Sequence, residues 1–272
     1  MLGLLSEMFS YGFLTRAFLV GTLVSLAAAL LGVSLVLKRY SMIGDGLSHV
    51  GFGALSIAFS LNLAPLYVSI PACVVAAFFL LKISENSKIK GDAAIALIAS
   101  SSLAIGVIAT SLSSGLSVDV YGYMFGSILA MQLSDVYISV ALSVAVLAVY
   151  VLCYNKIFAI TFDADFARAT GTKAGFYNML LALLTALTIV VGMRIMGTML
   201  ISSLIIFPAL SAMRVLRSFK GVIICSGVIS VVCFFLGMVF SYVFSIPTGA
   251  SVVVVNLAVF LIFYVIGKLL KR

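Results

Sequence analysis

Long apolar runs, separated by short polar intervals, extend over almost the whole chain. A bilayer core about 30 Å thick requires roughly 20 apolar residues for each helical crossing. Windows of about this length predict nine membrane-spanning helices, and a count of eight also fits. The predicted spans are residues 13–37, 42–62, 65–82, 93–113, 135–154, 175–193, 195–213, 221–244 and 250–267. The pattern therefore predicts an all-α, polytopic helical membrane protein with eight to nine transmembrane helices.

Two stretches interrupt this series of spans. Residues 114–134 are rich in glycine and aromatic residues, and we expect an external loop with a half-buried or re-entrant piece. Residues 155–175 form the longest polar interval of the second half, in which Phe158, Phe162 and Phe166 are spaced by four. That spacing predicts a short amphipathic helix ending near Gly171. Such a segment either lies on the membrane, docks onto a partner or is an ordinary interfacial loop, and its mixed charge favours a protein partner over anionic lipid.

The charged residues indicate membrane topology rather than nucleic-acid binding. Only 9% of the residues are charged, and the net charge of +8 comes from basic residues that flank the predicted helices. If the N-terminus is outside, fourteen of the 16 lysines and arginines face the cytoplasm, and only Arg16 and Arg194 do not. The positive-inside rule favours this orientation, which leaves the C-terminus cytoplasmic. With no evident repeat or linker, we predict one transmembrane domain over residues 1–272 of a cytoplasmic (inner) membrane protein.

One acidic residue and the only histidine lie together inside the second predicted span. His49 follows Asp45 by four residues, so both side chains share one helix face. At 1.5 Å per residue, Asp45 lies about 9 Å and His49 about 15 Å into the membrane, near the depth of many transporter substrate sites. An ionised carboxylate in this position costs roughly 2.5–3.5 kcal/mol, so we expect it to meet a polar partner.

The carboxylate and the imidazole suit a divalent metal ion such as zinc, manganese or ferrous iron. Two ligands are too few for a tight site, so we expect transient binding completed by water or by residues from another helix or subunit. The other interpretation is structural, with both groups hydrogen-bonded to neighbouring helices.

The sequence lacks the motifs that several classes of protein function require. No GxxxxGK[ST] loop occurs, so the chain carries no P-loop ATPase. GxSxG and HExxH are also absent, and one histidine cannot build the usual zinc hydrolase site. The four cysteines lack CxxC spacing and lie in or beside apolar runs, which indicates buried small hydrophobic residues. We therefore predict a non-catalytic protein that binds no cofactor of its own.

Three stretches resemble the membrane permeases of zinc and manganese ABC importers, the ABC-3 family. Residues 35–59 are similar to its G-D-x-L-x-H segment, with Asp45 and His49 on the acidic and histidine positions. Residues 160–213 are similar to its long second-half block, in which the pattern FD-x-x-FA-x-x-x-G runs from Phe162 to Gly171. Residues 242–254 resemble the segment before the last helix, although Ser245 stands where many relatives have an acidic residue.

The resemblance implies a type II ABC importer-like permease. Such a subunit forms a homodimer, binds cytosolic ABC ATPase subunits that use the ATP, and receives metal from an extracytoplasmic metal-binding protein. Asp45 and His49 then correspond to transient metal ligands on the translocation path. Residues 155–175 correspond to the segment that couples to the ATPase, with the family pattern falling on Phe162, Asp163, Phe166, Ala167 and Gly171.

The sequence thus predicts the permease subunit of an ATP-binding cassette importer for a divalent metal ion: zinc, manganese or iron. The alternative is an ion-coupled secondary transporter that uses Asp45 and His49 as a proton or cation relay. A membrane scaffold without transport activity would leave this intramembrane pair unexplained.

Overall fold

The computed structural model describes residues 8, 10–86, 91–112 and 133–270. Eleven helices lie within these residues. They are α1 (Gly12–Leu37), α2 (Ile43–Ser60), α3 (Pro65–Asn86), α4 (Gly91–Leu112), α5 (Leu133–Leu152), α6 (Tyr154–Phe162), α7 (Ala164–Ala169), α8 (Ala174–Met196), α9 (Thr198–Val215), α10 (Phe219–Phe244) and α11 (Thr248–Leu269).

The nine long helices coincide with the nine predicted spans, which confirms the all-α fold. Eight of them are long and apolar enough to cross a membrane. The other is α2, which carries Asp45 and His49 and is the shortest together with α9, at 18 residues each. Of the predicted external loop, residues 114–132 lie outside the described residues, and the remainder already belongs to the start of α5.

The core of the bundle is built around α1 and α9. Helix α1 packs against α5, α8, α9 and α10, and α9 packs against α1, α8, α10 and α11. Both are therefore buried over much of their length, whereas α4 and α11 leave most of their surface exposed. Apolar exposure of this kind suits contact with lipid, because lipid tails are as apolar as the side chains that they touch.

Helix α2 is held between other helices, which compensates for its polar composition. It packs most closely against α4 and α3 and also contacts α8 and α9. The approach to α4 requires a residue without a side chain at Gly53, where a Cβ would lie 2.7 Å from the carbonyl oxygen of Ser102. Small residues allow helix backbones to approach closely in membranes. This contact determines how α2 is oriented towards α4, and therefore where Asp45 and His49 lie relative to α4.

The polar interval at 155–175 contains two short helices rather than the single amphipathic helix predicted from the phenylalanine spacing. Helix α6 ends at Phe162, and Asp163 has an extended backbone with φ −150° and ψ 98° before α7 begins. The side chain of Asp163 explains the break, because it caps the next helix and thereby favours a restart over continuation. The end near Gly171 is as predicted, since α7 ends at Ala169.

Candidate functional site

The first turns of α2 position the acidic residue and the histidine. Asp45 lies in the first turn, where the helix dipole favours a carboxylate, and His49 lies one turn further along the same face. His49 Nε2 is 3.7 Å from Asp45 Oδ2. The structure therefore brings together the two residues that the sequence proposed as metal ligands.

A cleft of about 260 Å³ opens in front of this pair, between α2 and α4. Met42, Asp45 and His49 line its α2 side, and Ser100 adds a hydroxyl group on its α4 side. The rest of the lining is aliphatic, from Ile95, Ala96, Ala99 and Leu103. The pair thus faces an open cleft rather than the packed interior of the bundle.

The spacing of the pair fits two ligands of one ion better than a closed hydrogen bond. The distance of 3.7 Å exceeds the usual N–H···O range of about 2.7–3.2 Å. With metal–ligand bonds of about 2.1 Å, two neighbouring ligands of one ion lie roughly 3–3.5 Å apart. A small side-chain rotation would bring Asp45 and His49 onto a shared cation.

The described residues supply no further strong ligand to this cleft. Among them, no three histidine, cysteine, aspartate or glutamate side chains are grouped so that they could hold a metal ion. A closed structural zinc site has four ligands, whereas this pair supplies two, so weak and transient binding stays a prediction.

The exposure of Asp45 is unusual for a carboxylate at this depth in a helical membrane protein. Its side chain is 43% exposed in the single chain, and that of His49 is 24% exposed. A carboxylate that faced lipid would cost roughly 2.5–3.5 kcal/mol. Water or another polar protein surface beside this face of α2 would avoid that cost.

The segment formed by α6 and α7 has well-defined local geometry. Asp163 Oδ1 accepts hydrogen bonds from the backbone N–H groups of Asp165 (3.0 Å) and Phe166 (2.8 Å). At the other end, Gly171 has a left-handed backbone with φ +82°. The N–H groups of Gly171 and Thr172 donate to the carbonyls of Arg168 and Ala167, which is the Schellman ending of a helix.

The five residues proposed for ATPase coupling divide into exposed and structural positions. Phe162 and Phe166 are 59% and 65% exposed, so they form an exposed apolar surface. Ala167 is fully buried against Ile160, so it anchors α7 rather than facing outwards. Asp163 and Gly171 define where α7 begins and ends.

An aromatic cluster supports α6 from the neighbouring span. The ring of Phe219, at the start of α10, lies 5.1 Å from that of Phe158 and 5.6 Å from that of Phe162, measured between centroids. Phe158 and Phe162 are themselves 5.0 Å apart. The cluster connects the segment to the transmembrane bundle.

One buried ion pair was not anticipated from the sequence. Arg194 Nη1, near the end of α8, donates to Asp135 Oδ1 in the first turn of α5 at 2.6 Å, and the two side chains are 12% and 7% exposed. Both residues lie at the end of the bundle opposite α6 and α7. The sequence does contain a signal for this pair. Asp135 and Arg194 have opposite charges and lie at matching ends of two predicted spans, and ionisable residues within membrane spans usually pair with one another.

Ser245, the departure from the family pattern, lies at the end of α10. It is the C-cap of that helix, with a left-handed backbone at φ +53°, and it is exposed. The neighbouring turn is closed by Ser241, whose hydroxyl oxygen is 2.9 Å from that of Thr248.

Comparisons with known proteins agree with the arrangement of these helices. The chain is 31% identical over 265 residues to the manganese import system permease protein ScaB of Streptococcus gordonii, covering 96% of this chain and 95% of that protein. It is 28% identical over 247 residues to the high-affinity zinc uptake system membrane protein ZnuB of Haemophilus influenzae, covering 90% and 94%.

A solved structure has the same fold. PsaBC from Streptococcus pneumoniae, in complex with Fab, superposes with a TM-score of 0.87 at 30% identity, covering 97% of this chain and 95% of that one. With eight apolar helices and permease relatives, the chain is a multi-pass membrane protein. The ABC 3 transport family matches residues 10–267, nearly the whole length, and the chain belongs to this family.

Proposed function

We propose that this chain is the transmembrane permease subunit of an ATP-binding cassette importer for a divalent metal ion, manganese or zinc. The observation that carries the proposal is the Asp45 and His49 pair, 3.7 Å apart in an open cleft beside α2. Relatives over nearly the full length are named as manganese and zinc permeases. Oxygen and nitrogen ligands suit both ions, so the pair does not select between them.

The pair acts as a way station on the translocation path. A metal ion that enters the cleft exchanges part of its hydration shell for the Asp45 carboxylate and the His49 imidazole. Because one chain supplies only two strong ligands, an ion held by a single pair keeps water ligands and leaves readily. An ion held by four protein ligands would occupy the path, so release from a site shared by two copies requires that the two pairs move apart.

A second copy of the chain is the partner proposed for the exposed side of Asp45. Two copies related by a two-fold axis through the cleft would face each other with two carboxylates and two imidazoles, a complete tetrahedral set. Such a homodimer would also remove the exposed carboxylate from lipid. Helix α4, which forms the other wall of the cleft and is largely exposed, would then contribute to the interface.

The energy for transport comes from separate cytosolic ATPase subunits, because the sequence contains no P-loop. The docking segment is α6 and α7, with Phe162 and Phe166 as apolar contacts and Asp163 and Gly171 fixing its shape. This places the segment and the C-terminus in the cytoplasm and the N-terminus outside the inner membrane. A metal-binding protein delivers the ion to the opposite face.

The test is metal uptake by the permease with its ATPase in proteoliposomes. The variants Asp45→Asn and His49→Ala should each lower uptake at least tenfold, with unchanged ATPase association. Ser60→Ala, at the other end of α2, is the matched control, because Ser60 only donates to the Ile57 carbonyl of its own helix. Wild-type uptake by both site variants would remove the pair from the path. Uptake that requires a proton gradient but no ATP would instead support the secondary transporter.

A further inference from the structure

The end of α1 is connected to the α6 and α7 segment through one lysine side chain. Lys38 Nζ donates a hydrogen bond to the Ile160 carbonyl of α6 at 3.2 Å and another to Asn178 Oδ1 of α8. The end of α1 therefore meets α6 and α8, whose contact residues lie 122 and 140 positions later in the sequence, at one ammonium group. An ammonium has three donors and no acceptor, so it can serve several carbonyl groups at once.

Both acceptors lie in positions that favour a charged donor. The Ile160 carbonyl belongs to the last turn of α6, where backbone carbonyls have no donor within the helix. A cation at this helix end is also favoured by the helix dipole. The Asn178 residue is only 6% exposed, so its amide oxygen is removed from water. Hydrogen bonds from a charged donor are stronger than neutral ones, which makes this junction stiff.

The same lysine lies next to the helix that carries the metal ligands. It is the C-cap of α1, and the turn that follows is closed by backbone hydrogen bonds from Tyr40 N–H to the Leu35 carbonyl (2.8 Å) and from Ile43 N–H to the Tyr40 carbonyl (3.0 Å). Asp45 follows in the first turn of α2. Because this turn is short and hydrogen-bonded, a displacement of Lys38 would also displace the start of α2.

We propose that Lys38 is a positioning residue that couples movement of α6 to the position of Asp45. This inference rests on the proposed function, in which α6 and α7 contact the ATPase. When ATP binding or hydrolysis displaces α6, the Ile160 carbonyl pulls on the Lys38 ammonium. The turn at residues 38–42 then shifts the first turn of α2, and the separation of Asp45 from His49 or from the second copy changes. The ion is released as a result.

The decisive quantity is the number of metal ions transported per ATP hydrolysed. Lys38→Met keeps the length and apolar stem of the side chain but removes every donor. We expect the complex to assemble and hydrolyse ATP, with the ion-to-ATP ratio at least tenfold lower. Lys38→Arg should restore part of the ratio, because a guanidinium can donate to both acceptors. Lys220→Met is the matched control, an exposed lysine in the first turn of α10 at the same end of the bundle, and should leave the ratio unchanged.

Asn178→Ala provides a second test, because it removes one acceptor and leaves Lys38 and the α6 carbonyl in place. It should lower the same ratio, by less than Lys38→Met. A purely structural role for Lys38 predicts the opposite pattern, in which uptake and hydrolysis fall together with assembly and the ratio stays constant. Such a constant ratio in both variants would overturn the proposal. Absence of metal uptake by the unaltered complex would instead contradict the proposed function itself.

Discussion

Single residues of the chain have chemical roles that depend on the backbone around them. Gly171 was expected from the sequence to mark the end of a helix, and the resemblance assigned it to ATPase coupling. The structure supplies the physical reason, since its positive φ completes the ending of α7. Asp163 illustrates what periodicity misses, because phenylalanine spacing alone cannot indicate that a side chain caps a new helix. Ala167 could be identified from the pattern, but its complete burial could not.

Substitution of Gly171 tests the importance of this helix ending. Gly171→Ala should weaken association with the ATPase severalfold, because a left-handed backbone costs roughly 1–2 kcal/mol for a residue with a Cβ. Gly171→Asn is the control, since asparagine adopts this conformation more readily. No atom lies within 4 Å of a Cβ added here, so steric conflict with neighbouring groups would not confuse the result. Co-purification of the ATPase with the permease is the measurement. Equal association in both variants would show that the backbone at Gly171 is unimportant for docking.

Whole elements were predicted well where long apolar runs dominate and less well where helices pair through polar groups. Each of the nine predicted spans corresponds to one helix, because a run of this length has few alternatives in a bilayer. The pairing of α5 with α8 through Asp135 and Arg194 was missed. Spacing along one helix determines which residues share a face, whereas a contact between helices depends on how the bundle packs.

The buried pair should behave as a coupled unit in stability measurements. Asp135→Asn should destabilise the permease by about 3–5 kcal/mol, because it leaves a buried guanidinium without its carboxylate. Replacing both residues by leucine should recover most of this loss, since two apolar groups leave no uncompensated charge. Thermal denaturation of the detergent-solubilised permease would give the comparison. A double leucine variant that loses as much as the sum of Asp135→Leu and Arg194→Leu would indicate that the two residues act independently.

At the scale of the whole molecule, the exposed carboxylate of Asp45 is the reason for proposing a second copy of the chain as its partner. If two copies share one ion, a linked dimer with one wild-type chain and one Asp45→Asn chain should lose most of its uptake. Two independent paths would instead retain about half. The tandem dimer with two wild-type chains controls for the linker. Equilibrium binding should give one ion per two chains, and a ratio of one ion per chain would contradict a shared site.

The low hydropathy of α2 also has a consequence for how the protein is made. Within the part of the chain that the structure describes, the helix that carries Asp45 and His49 is the one long helix that does not meet the composition expected of a membrane span. During synthesis it should enter the bilayer late, after α1, α3 and α4 provide surfaces for its polar face. Gly53→Leu, which blocks the contact with α4, would then leave α2 accessible to labelling reagents from the aqueous side. The polar residues that the proposed metal site requires would thus also determine when α2 enters the membrane.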